Sequence, residues 1–304
     1  MYILKNTITY TNCPVCNSTA IYHFTTIKDY TVSMESFEIF ECKMCTLRFT
    51  QGAPVAEAMA PYYQSDDYIS HTDSKKGFIN LAYHWVRSHT IKSKRKLIEK
   101  LTRKSSGTLL DIGAGTGSFV SEMQIAGWQV LGMEPDDTAR ANALEKYAIV
   151  LQHPTFLFEL EDKRFDVITL WHVLEHIHRL QDYIQVFHRT LKDDGYLVIA
   201  VPNYTSNDAR HYKTHWAAYD VPRHLYHFSP KSMQKLMYIN GFEVISVKPM
   251  WYDSFYVSLL SEKYVRGKDD YLSGFFQGFI SNMQTLKNIQ NCSSVIYIIK
   301  KRKA

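Results

Sequence analysis

The feature that most constrains this chain is the segment LDIGAGTG, which runs from Leu110 to Gly117. Its three glycines follow an apolar run with strand character and precede a segment with helical periodicity. Glycine lets a backbone turn sharply and approach a ligand closely, and the start of a helix offers unpaired N–H groups. The order of strand, glycine turn and helix therefore predicts a nucleotide-binding loop.

The spacing of the glycines indicates which nucleotide is bound. A dinucleotide loop of the form G-x-G-x-x-G would need glycine at position 118, where the chain has serine. Asp111 would also repel a pyrophosphate, and it suits a ligand with a positive charge, such as the ammonium group of a methionine moiety. Glu134 ends the next predicted strand about 20 residues further on, the spacing of an acid that accepts hydrogen bonds from ribose hydroxyls.

Strand-like and helix-like segments alternate along most of the chain. The predicted strands after the first fifty residues are 108–112, 128–133, 165–170, 196–201, 242–247 and 294–299. Such alternation predicts an α/β fold with a mostly parallel sheet and helices on both faces.

These features resemble the class I S-adenosylmethionine-dependent methyltransferases. The residues that match the family's motifs are Asp111, Gly113, Gly115, Gly117, Glu134, the FDVI run 165–168, the VLEH run 173–176 and the Pro-Asn pair 202–203. The resemblance implies a Rossmann-like, doubly wound, mostly parallel sheet of seven strands. It also implies S-adenosyl-L-methionine as cofactor and S-adenosyl-L-homocysteine as product. The residues predicted to bind the cofactor are Asp111, Gly113, Gly115, Gly117, Glu134, Trp171 and His172.

Four of the five cysteines form two C-x-x-C pairs. They are Cys13, Cys16, Cys42 and Cys45. Four thiolates can complete a tetrahedron around one Zn²⁺ and leave no open coordination position, so the predicted role of the zinc is structural. A redox C-x-x-C is disfavoured because the βαβ context of such a motif is missing.

A zinc ribbon that precedes a methyltransferase domain is similar in layout to the sugar C-methyltransferases of deoxysugar biosynthesis. That resemblance divides the chain into a small N-terminal zinc-ribbon-like domain, 1–55, a linker or cofactor-covering segment, 56–76, and a class I methyltransferase domain, 77–304. An aromatic insertion occupies 251–291, for which core packing, a dimer surface, a lid or acceptor pocket and interfacial membrane contact all remain open.

The segment 215–230 follows the predicted strand 196–201 and should lie over the cofactor. The sugar C-methyltransferases carry E-H-x-x-Y-F-S there, and the resemblance implies that His224 is the catalytic base. Arg223 replaces the preceding Glu, so the partner acid of C-methylation is missing. A neutral histidine can still accept a proton from a hydroxyl or an activated carbon at pH 7.

His172, Glu175 and His176 share one face of a helical turn. H-x-x-E-H is also the inverted zinc-peptidase motif, which we reject because these residues directly follow a strand of the methyltransferase pattern. Some small-RNA and quinone-pathway methyltransferases bind Mg²⁺ through Glu and His of this segment, but His172 is a poor ligand for a hard cation. We expect Glu175 and His176 to fix the loop beside the cofactor.

Residues upstream of the glycine loop also belong to the predicted site. Tyr63, Tyr68 and His71 lie in the segment that covers the cofactor in this hypothesis, and Arg87 is placed to meet the methionine carboxylate. Solvated or packed surface positions are the competing interpretation for each of them.

The charge and the hydropathy of the chain limit the classes of partner that it is expected to bind. The chain has 35 Lys and Arg residues and 30 Asp and Glu residues. The resulting net charge of +5 does not require a nucleic-acid partner. We expect no secretory signal, no membrane span, a cytoplasmic location and a monomer or homodimer.

One motif that is missing bears on the type of atom that accepts the methyl group. The loop after the predicted strand 165–170 reads LWHVLEH and lacks the N/D-P-P-Y/F motif of amino-group methyltransferases, which favours transfer to oxygen or carbon. The expected acceptor is a small molecule: a sugar, a quinone-like compound or a secondary metabolite. One alternative is an RNA methyltransferase that uses the ribbon and the basic tail, and the other is a non-catalytic protein that binds S-adenosylmethionine.

Overall fold

The computed structural model describes residues 6–64 and 78–303, with the backbone alone for 78–85 and 87. The strands are β1 (Ile21–Lys28), β2 (Ser36–Cys42), β3 (Arg48–Gln51), β4 (Thr108–Ile112), β5 (Gln129–Met133), β6 (Phe165–Trp171), β7 (Leu191–Pro202), β8 (Tyr226–His227), β9 (Phe242–Pro249) and β10 (Ser294–Lys301). The helices are α1 (Phe78–Thr102), α2 (Ser118–Ile125), α3 (Asp137–Tyr147), α4 (Leu180–Thr190), α5 (Asn207–Tyr212), α6 (Pro230–Ile239), α7 (Asp253–Arg266) and α8 (Tyr271–Lys287).

The larger sheet has the strand order β5-β4-β6-β7-β10-β9. The first four strands are parallel, and β10 runs antiparallel to both of its neighbours. Almost every residue of the central strand β6 is buried, as expected for a strand covered on both faces. The predicted Rossmann-like α/β fold is therefore confirmed.

The number of strands differs from the expectation. The described residues form six strands in this sheet instead of seven, and a single parallel bridge between Met133 and Gln152 stands at the edge. Helix α3 ends at the left-handed residue Ala148, and Pro154 already opens a 3₁₀ turn. Between them the backbone of Gln152 exchanges hydrogen bonds with Gly132 and Glu134, and this pairing forms a bridge at the edge instead of a strand.

Local signals in the sequence explain several helix boundaries. The side chain of Asp136 accepts a hydrogen bond from Ala139 N at the start of α3. At the start of α6, Ser229 and Ser232 form a reciprocal capping box and Pro230 occupies the first turn. These caps satisfy backbone N–H groups that no helical carbonyl can reach.

The smaller sheet joins the cysteine-rich ribbon to the rest of the molecule. Its order is β1-β2-β3-β8, and the two-residue strand β8 comes from the segment after β7. Phe49 pairs with Tyr226, and both belong to one buried cluster that continues into the core of the larger sheet. The ribbon therefore packs as part of the same hydrophobic core.

The aromatic insertion forms an antiparallel pair of helices, α7 and α8. Gly274 and Gly278 let the two helices approach closely, because a Cβ at either position would lie 2.8 Å from the Cα of Leu259 or Phe255. Within the described residues, no helix combines the length and the apolar character that crossing a bilayer requires.

Candidate active site

The glycine loop connects the carboxyl end of β4 to α2. Gly113, Gly115 and Gly117 have φ angles of 70°, 54° and 76°, a region that side-chain-bearing residues rarely adopt. A Cβ on Gly113 would lie 2.3 Å from Cγ2 of Val173, so this glycine is required for packing. A Cβ on Gly115 would meet no atom within 4 Å, so the central glycine faces open space.

Glu134 lies directly against this loop. Its Oε2 accepts a hydrogen bond of 2.8 Å from the backbone N–H of Gly115, and its Oε1 accepts one of 3.0 Å from Asp136. Burial raises the pKa of Glu134, and the two backbone N–H groups oppose that shift. The structure therefore brings together the glycine loop and the acid that sequence reasoning assigned to the same ligand.

Asp111 is buried behind the loop. Its Oδ1 accepts a hydrogen bond of 2.6 Å from the hydroxyl of Thr169 in β6. Burial raises the pKa of Asp111 to about 7, whereas the Thr169 hydroxyl and the Lys94 ammonium act in the opposite direction. A cation placed nearby would favour the ionised form of this carboxyl.

Trp171 closes the end of β6. Its ring packs edge-on against Phe119 at 5.7 Å, and the Lys94 ammonium lies 4.4 Å from its centroid. The indole Nε1 is buried and donates to no acceptor in the part of the chain that the structure describes. Contact of Trp171 with a cofactor stays a prediction.

His172 adopts a φ of 58°, an uncommon conformation for a residue with a side chain. Its Nε2 lies 2.8 Å from Oδ2 of Asp253, and its Nδ1 lies 3.4 Å from Oε1 of Glu175. Burial alone would lower the pKa of His172, but the two carboxylates outweigh it and raise the pKa to about 10. His172 is therefore a cation at neutral pH, held between two anions.

Glu175, His176 and His224 form a compact cluster behind His172. One ligand-type atom of each lies within 4.8 Å of those of the other two. Glu175 is fully buried, and among the described residues its carboxylate accepts no well-formed hydrogen bond. Burial acts to raise the pKa of Glu175, but the surrounding histidines lower it overall. An ionised carboxylate thus faces two imidazoles.

Backbone carbonyls fix the orientation of both imidazoles. Nδ1 of His224 donates to the Ala218 carbonyl at 2.9 Å, and Nδ1 of His176 donates to the Arg223 carbonyl at 3.0 Å. Because a carbonyl can only accept, each Nδ1 carries a proton, and in the neutral form of either ring Nε2 is the acceptor. The rings meet edge to face at 4.6 Å, and burial lowers the pKa of His176 to about 4.

Asp220 is a member of the site that sequence reasoning missed. Its Oδ2 lies 3.9 Å from Nε2 of His224, and its Oδ1 accepts a hydrogen bond of 2.7 Å from Arg223. Arg223, which replaces the family's Glu, is fully buried and also pairs with Asp29 of the ribbon at 2.9 Å. The spacing of Asp220 and His224, four residues apart across one turn, was the available signal.

Two described residues of the segment 56–76 contact this region, since the Tyr62 carbonyl accepts a hydrogen bond of 2.8 Å from Arg223. The Tyr63 hydroxyl lies 3.1 Å from Nδ1 of His176. Tyr68, His71 and the side chain of Arg87 lie outside the described residues. Tyr63 therefore contacts the histidine cluster, and the role of its segment in covering the cofactor stays a prediction.

The four paired cysteines form a separate cluster in the ribbon. Sγ of Cys13 lies 3.5 Å from Sγ of Cys45, and Sγ of Cys16 lies 3.6 Å from Sγ of Cys42. All four sulfur atoms fall within 4.8 Å of one another, and none is in a disulfide. Zn–S bonds of about 2.3 Å in a tetrahedron separate sulfur atoms by about 3.8 Å. The donor set and its spacing fit a Zn²⁺ ion.

Comparison with known proteins gives related sequences for the larger part of the chain. A family model described as a methyltransferase domain matches residues 85–247, slightly more than half of the chain. A ubiquinone biosynthesis O-methyltransferase of Rickettsia bellii is 25% identical over 183 residues, which cover 55% of this chain and 72% of that protein. An uncharacterized methyltransferase of Staphylococcus carnosus is 30% identical over 106 residues, covering 34% and 51%.

Among solved structures, the fold is similar to phosphoethanolamine N-methyltransferase 2 of Haemonchus contortus in complex with S-adenosyl-L-methionine. The TM-score is 0.51 at 16% identity, and the match covers 93% of this chain and 69% of that one. At this identity the likeness extends to the fold alone.

Proposed function

Because this chain belongs to the methyltransferase domain family and is an S-adenosylmethionine-dependent methyltransferase, we propose that it methylates a small molecule at a hydroxyl oxygen, with His224 as the base. The observation that carries this proposal is the fixed orientation of His224, whose Nδ1 is bound to the Ala218 carbonyl. Its Nε2 is thereby left as an acceptor between Asp220 and the Glu175 cluster.

The residues of the loop fit the cofactor. Gly115 leaves open space where a ligand can approach the backbone, and Glu134 stands beside it with a carboxylate suited to ribose hydroxyls. Asp111 supplies a carboxyl whose ionised form a nearby ammonium would favour. When bound, S-adenosylmethionine supplies a methyl group activated by its sulfonium.

His224 would remove the proton of the acceptor hydroxyl. The proton moves from the hydroxyl oxygen to Nε2, and the imidazolium that forms is stabilised by the Asp220 carboxylate at 3.9 Å. Glu175 is ionised and buried close by, which adds to this stabilisation. Asp220 thus serves as the partner acid in place of the Glu of the family motif, a position that Arg223 occupies in this chain.

Two observations support oxygen as the acceptor atom. The loop after β6 lacks the N/D-P-P-Y/F motif of amino-group methyltransferases. The relative from Rickettsia bellii is named as an O-methyltransferase. A carbon acceptor with an acidic proton would use the same base, so the identity of the product decides between the two.

The test is turnover, followed as release of S-adenosylhomocysteine with a panel of hydroxylated sugars, catechols and quinols. The ¹³C chemical shift of a labelled transferred methyl group then distinguishes an O-methyl from a C-methyl product. His224→Asn should lower kcat by about 10²–10⁴-fold, the typical contribution of a general base. His211→Asn, at an exposed histidine of α5, is the matched control and should leave kcat unchanged.

Full turnover by His224→Asn would refute the base. Turnover that depends strictly on added Mg²⁺ or Mn²⁺ would instead assign the cluster of Glu175, His176 and His224 to a cation that activates the hydroxyl.

We also propose that the four cysteines hold one structural Zn²⁺. Support comes from the sulfur spacing and from the absence of a fifth donor with ligand geometry at this cluster among the described residues. A closed Cys₄ site would hold the two C-x-x-C pairs together and so fix the ribbon against the methyltransferase domain.

A further inference from the structure

Helix α8 carries a broad apolar face that no described part of the chain covers. Its exposed large side chains are Tyr271, Leu272, Phe275, Phe276, Phe279, Ile280, Met283 and Leu286. Their spacing places them on one side of the helix, opposite the small residues that pack on α7, which are Gly274, Gly278, Ser281 and Thr285. The apolar face therefore points away from the molecule.

The size of this face exceeds what a monomer normally leaves in water. Leu272 is 74% exposed and Phe276 is 62% exposed. Aromatic residues have areas of about 150–250 Å², so eight large side chains that are each roughly half exposed present on the order of 800 Å². The largest apolar patch of a typical monomer is about 300–600 Å². A stable protein interface buries about 800 Å² on each partner.

The chemistry of the face favours a protein surface over a lipid surface. From Tyr271 to Leu286 the helix contains no Asp, Glu, Lys, Arg or His. Helices that lie in a membrane interface carry Lys and Arg on their polar face, which attract anionic lipids. The centre of a homodimer interface, in contrast, is depleted of charge and rich in aromatic residues and Met.

The undescribed segment just before α1 offers little to cover this face. The thirteen residues between Gln64 and Phe78 read SDDYISHTDSKKG and contain only Tyr68 and Ile69 as large apolar side chains. Such a sequence has too little apolar area to cover eight large side chains.

We propose that a second copy of this chain covers the face, so that α8 packs against its symmetry mate in a two-fold dimer. A two-fold interface uses the same patch on both copies, and a patch that is apolar throughout is complementary to itself. Phe279 lies at the middle of the helix and of its exposed face, so it is buried at the centre of such an interface.

The test is the molar mass of the full chain in solution, measured by sedimentation equilibrium over a wide range of concentration. The wild type should be a dimer. Phe279→Lys should weaken the dimer by about 30-fold or more, the effect of losing a central anchor residue, and Leu272→Lys, at the end of the face, should weaken it less. Ile125→Lys is the control, because Ile125 is 81% exposed on α2 and lies outside the face. Unchanged circular dichroism should show that all three variants are folded.

Two results would overturn the proposal. One is a wild type that stays monomeric at every concentration, including a monomer that floats with phosphatidylcholine or phosphatidylglycerol vesicles. The other is a dimer that persists unchanged in both Phe279→Lys and Leu272→Lys.

Discussion

Nε2 of His172 lies 2.8 Å from Oδ2 of Asp253, and this contact joins the loop after β6 to the first residue of α7. On its other side the same imidazole faces Glu175 at 3.4 Å. A charged His172 therefore links the aromatic helix pair to the buried carboxylate of the site. Because His172 stays protonated, it keeps Glu175 ionised beside the proposed base.

Asp253→Asn should destabilise the protein at neutral pH. The folded state raises the pKa of His172 from 6.5 to about 10, so the stabilisation is complete below about pH 6.5 and is lost as the pH rises through 10. Loss of this charged hydrogen bond should cost about 1.5–3 kcal/mol at pH 7. Urea unfolding at pH 7 and above pH 10 measures the free energy of unfolding, and the difference in this quantity between the variant and the wild type should be smaller at the higher pH.

The matched control for this experiment is Asp182→Asn. Asp182 pairs with Arg179 at 2.7 Å, but both side chains are exposed, so the cost should stay below about 1 kcal/mol. A loss of stability in Asp253→Asn that is equally large at both pH values would contradict a charged His172.

Gly113→Ala and Gly115→Ala should separate folding from binding. In Gly113→Ala the new Cβ would collide with Val173, and the φ of 70° adds strain, so the free energy of unfolding should fall by about 1–3 kcal/mol. In Gly115→Ala the new Cβ meets no protein atom, so this variant should lose less stability and more cofactor affinity. Thermal unfolding and calorimetric titration with S-adenosylhomocysteine measure the two effects.

Gly52→Ala controls for backbone strain alone. Gly52 has a φ of 72°, and a Cβ there would meet nothing within 4 Å. Gly52→Ala should lose about as much stability as Gly115→Ala does, but it should bind the cofactor with normal affinity. Normal affinity in Gly115→Ala would mean that the open space beside Gly115 is not the ligand site.

Asp111 should make cofactor binding depend on pH. Burial raises its pKa to about 7, so the carboxyl is mostly protonated at pH 6 and mostly ionised at pH 8. An ammonium group binds the ionised form, so affinity should rise up to about tenfold over this range. Asp111→Asn should bind more weakly and lose most of the pH dependence, as measured by calorimetric titration with S-adenosylhomocysteine.

Two further variants sharpen this measurement. The pKa of Glu134 is also raised by burial, so Glu134→Gln reports the part of the pH dependence that belongs to the second acid. Asp137→Asn, whose side chain is almost fully exposed, should match the wild type. A wild-type affinity that is constant between pH 6 and 8 would argue against a cationic group beside Asp111.

The sequence predicted the parts of the fold that local chemistry determines. Strand β4 begins and ends where expected, because a buried apolar run marks it. Strand β8 escaped prediction, because two residues carry no periodicity and their ladder partner β3 is distant in the chain.

The candidate site was predictable to a similar extent. The glycine loop, Glu134 and His224 were identified from motifs with fixed local spacing. Asp253 was not, because its pairing with His172 depends on how α7 packs in three dimensions. The exposure of the α8 face could not be predicted from the sequence either, because an amphipathic pattern does not show whether the apolar side of a helix packs inward.

Removal of the proposed Zn²⁺ should affect both stability and turnover. Metal analysis of protein purified without chelator should give one Zn²⁺ per chain, and Cys42→Ser should lower both zinc content and Tm. Turnover should fall as well, because the ribbon strand β3 pairs with β8 and the Thr50 hydroxyl donates to the His224 carbonyl at 2.6 Å. Cys292→Ala, at the unpaired cysteine, should keep the full zinc content. Zinc far below one per chain in the wild type would refute the Cys₄ site, and full turnover in a zinc-free Cys42→Ser variant would show that the ribbon does not support the His224 loop.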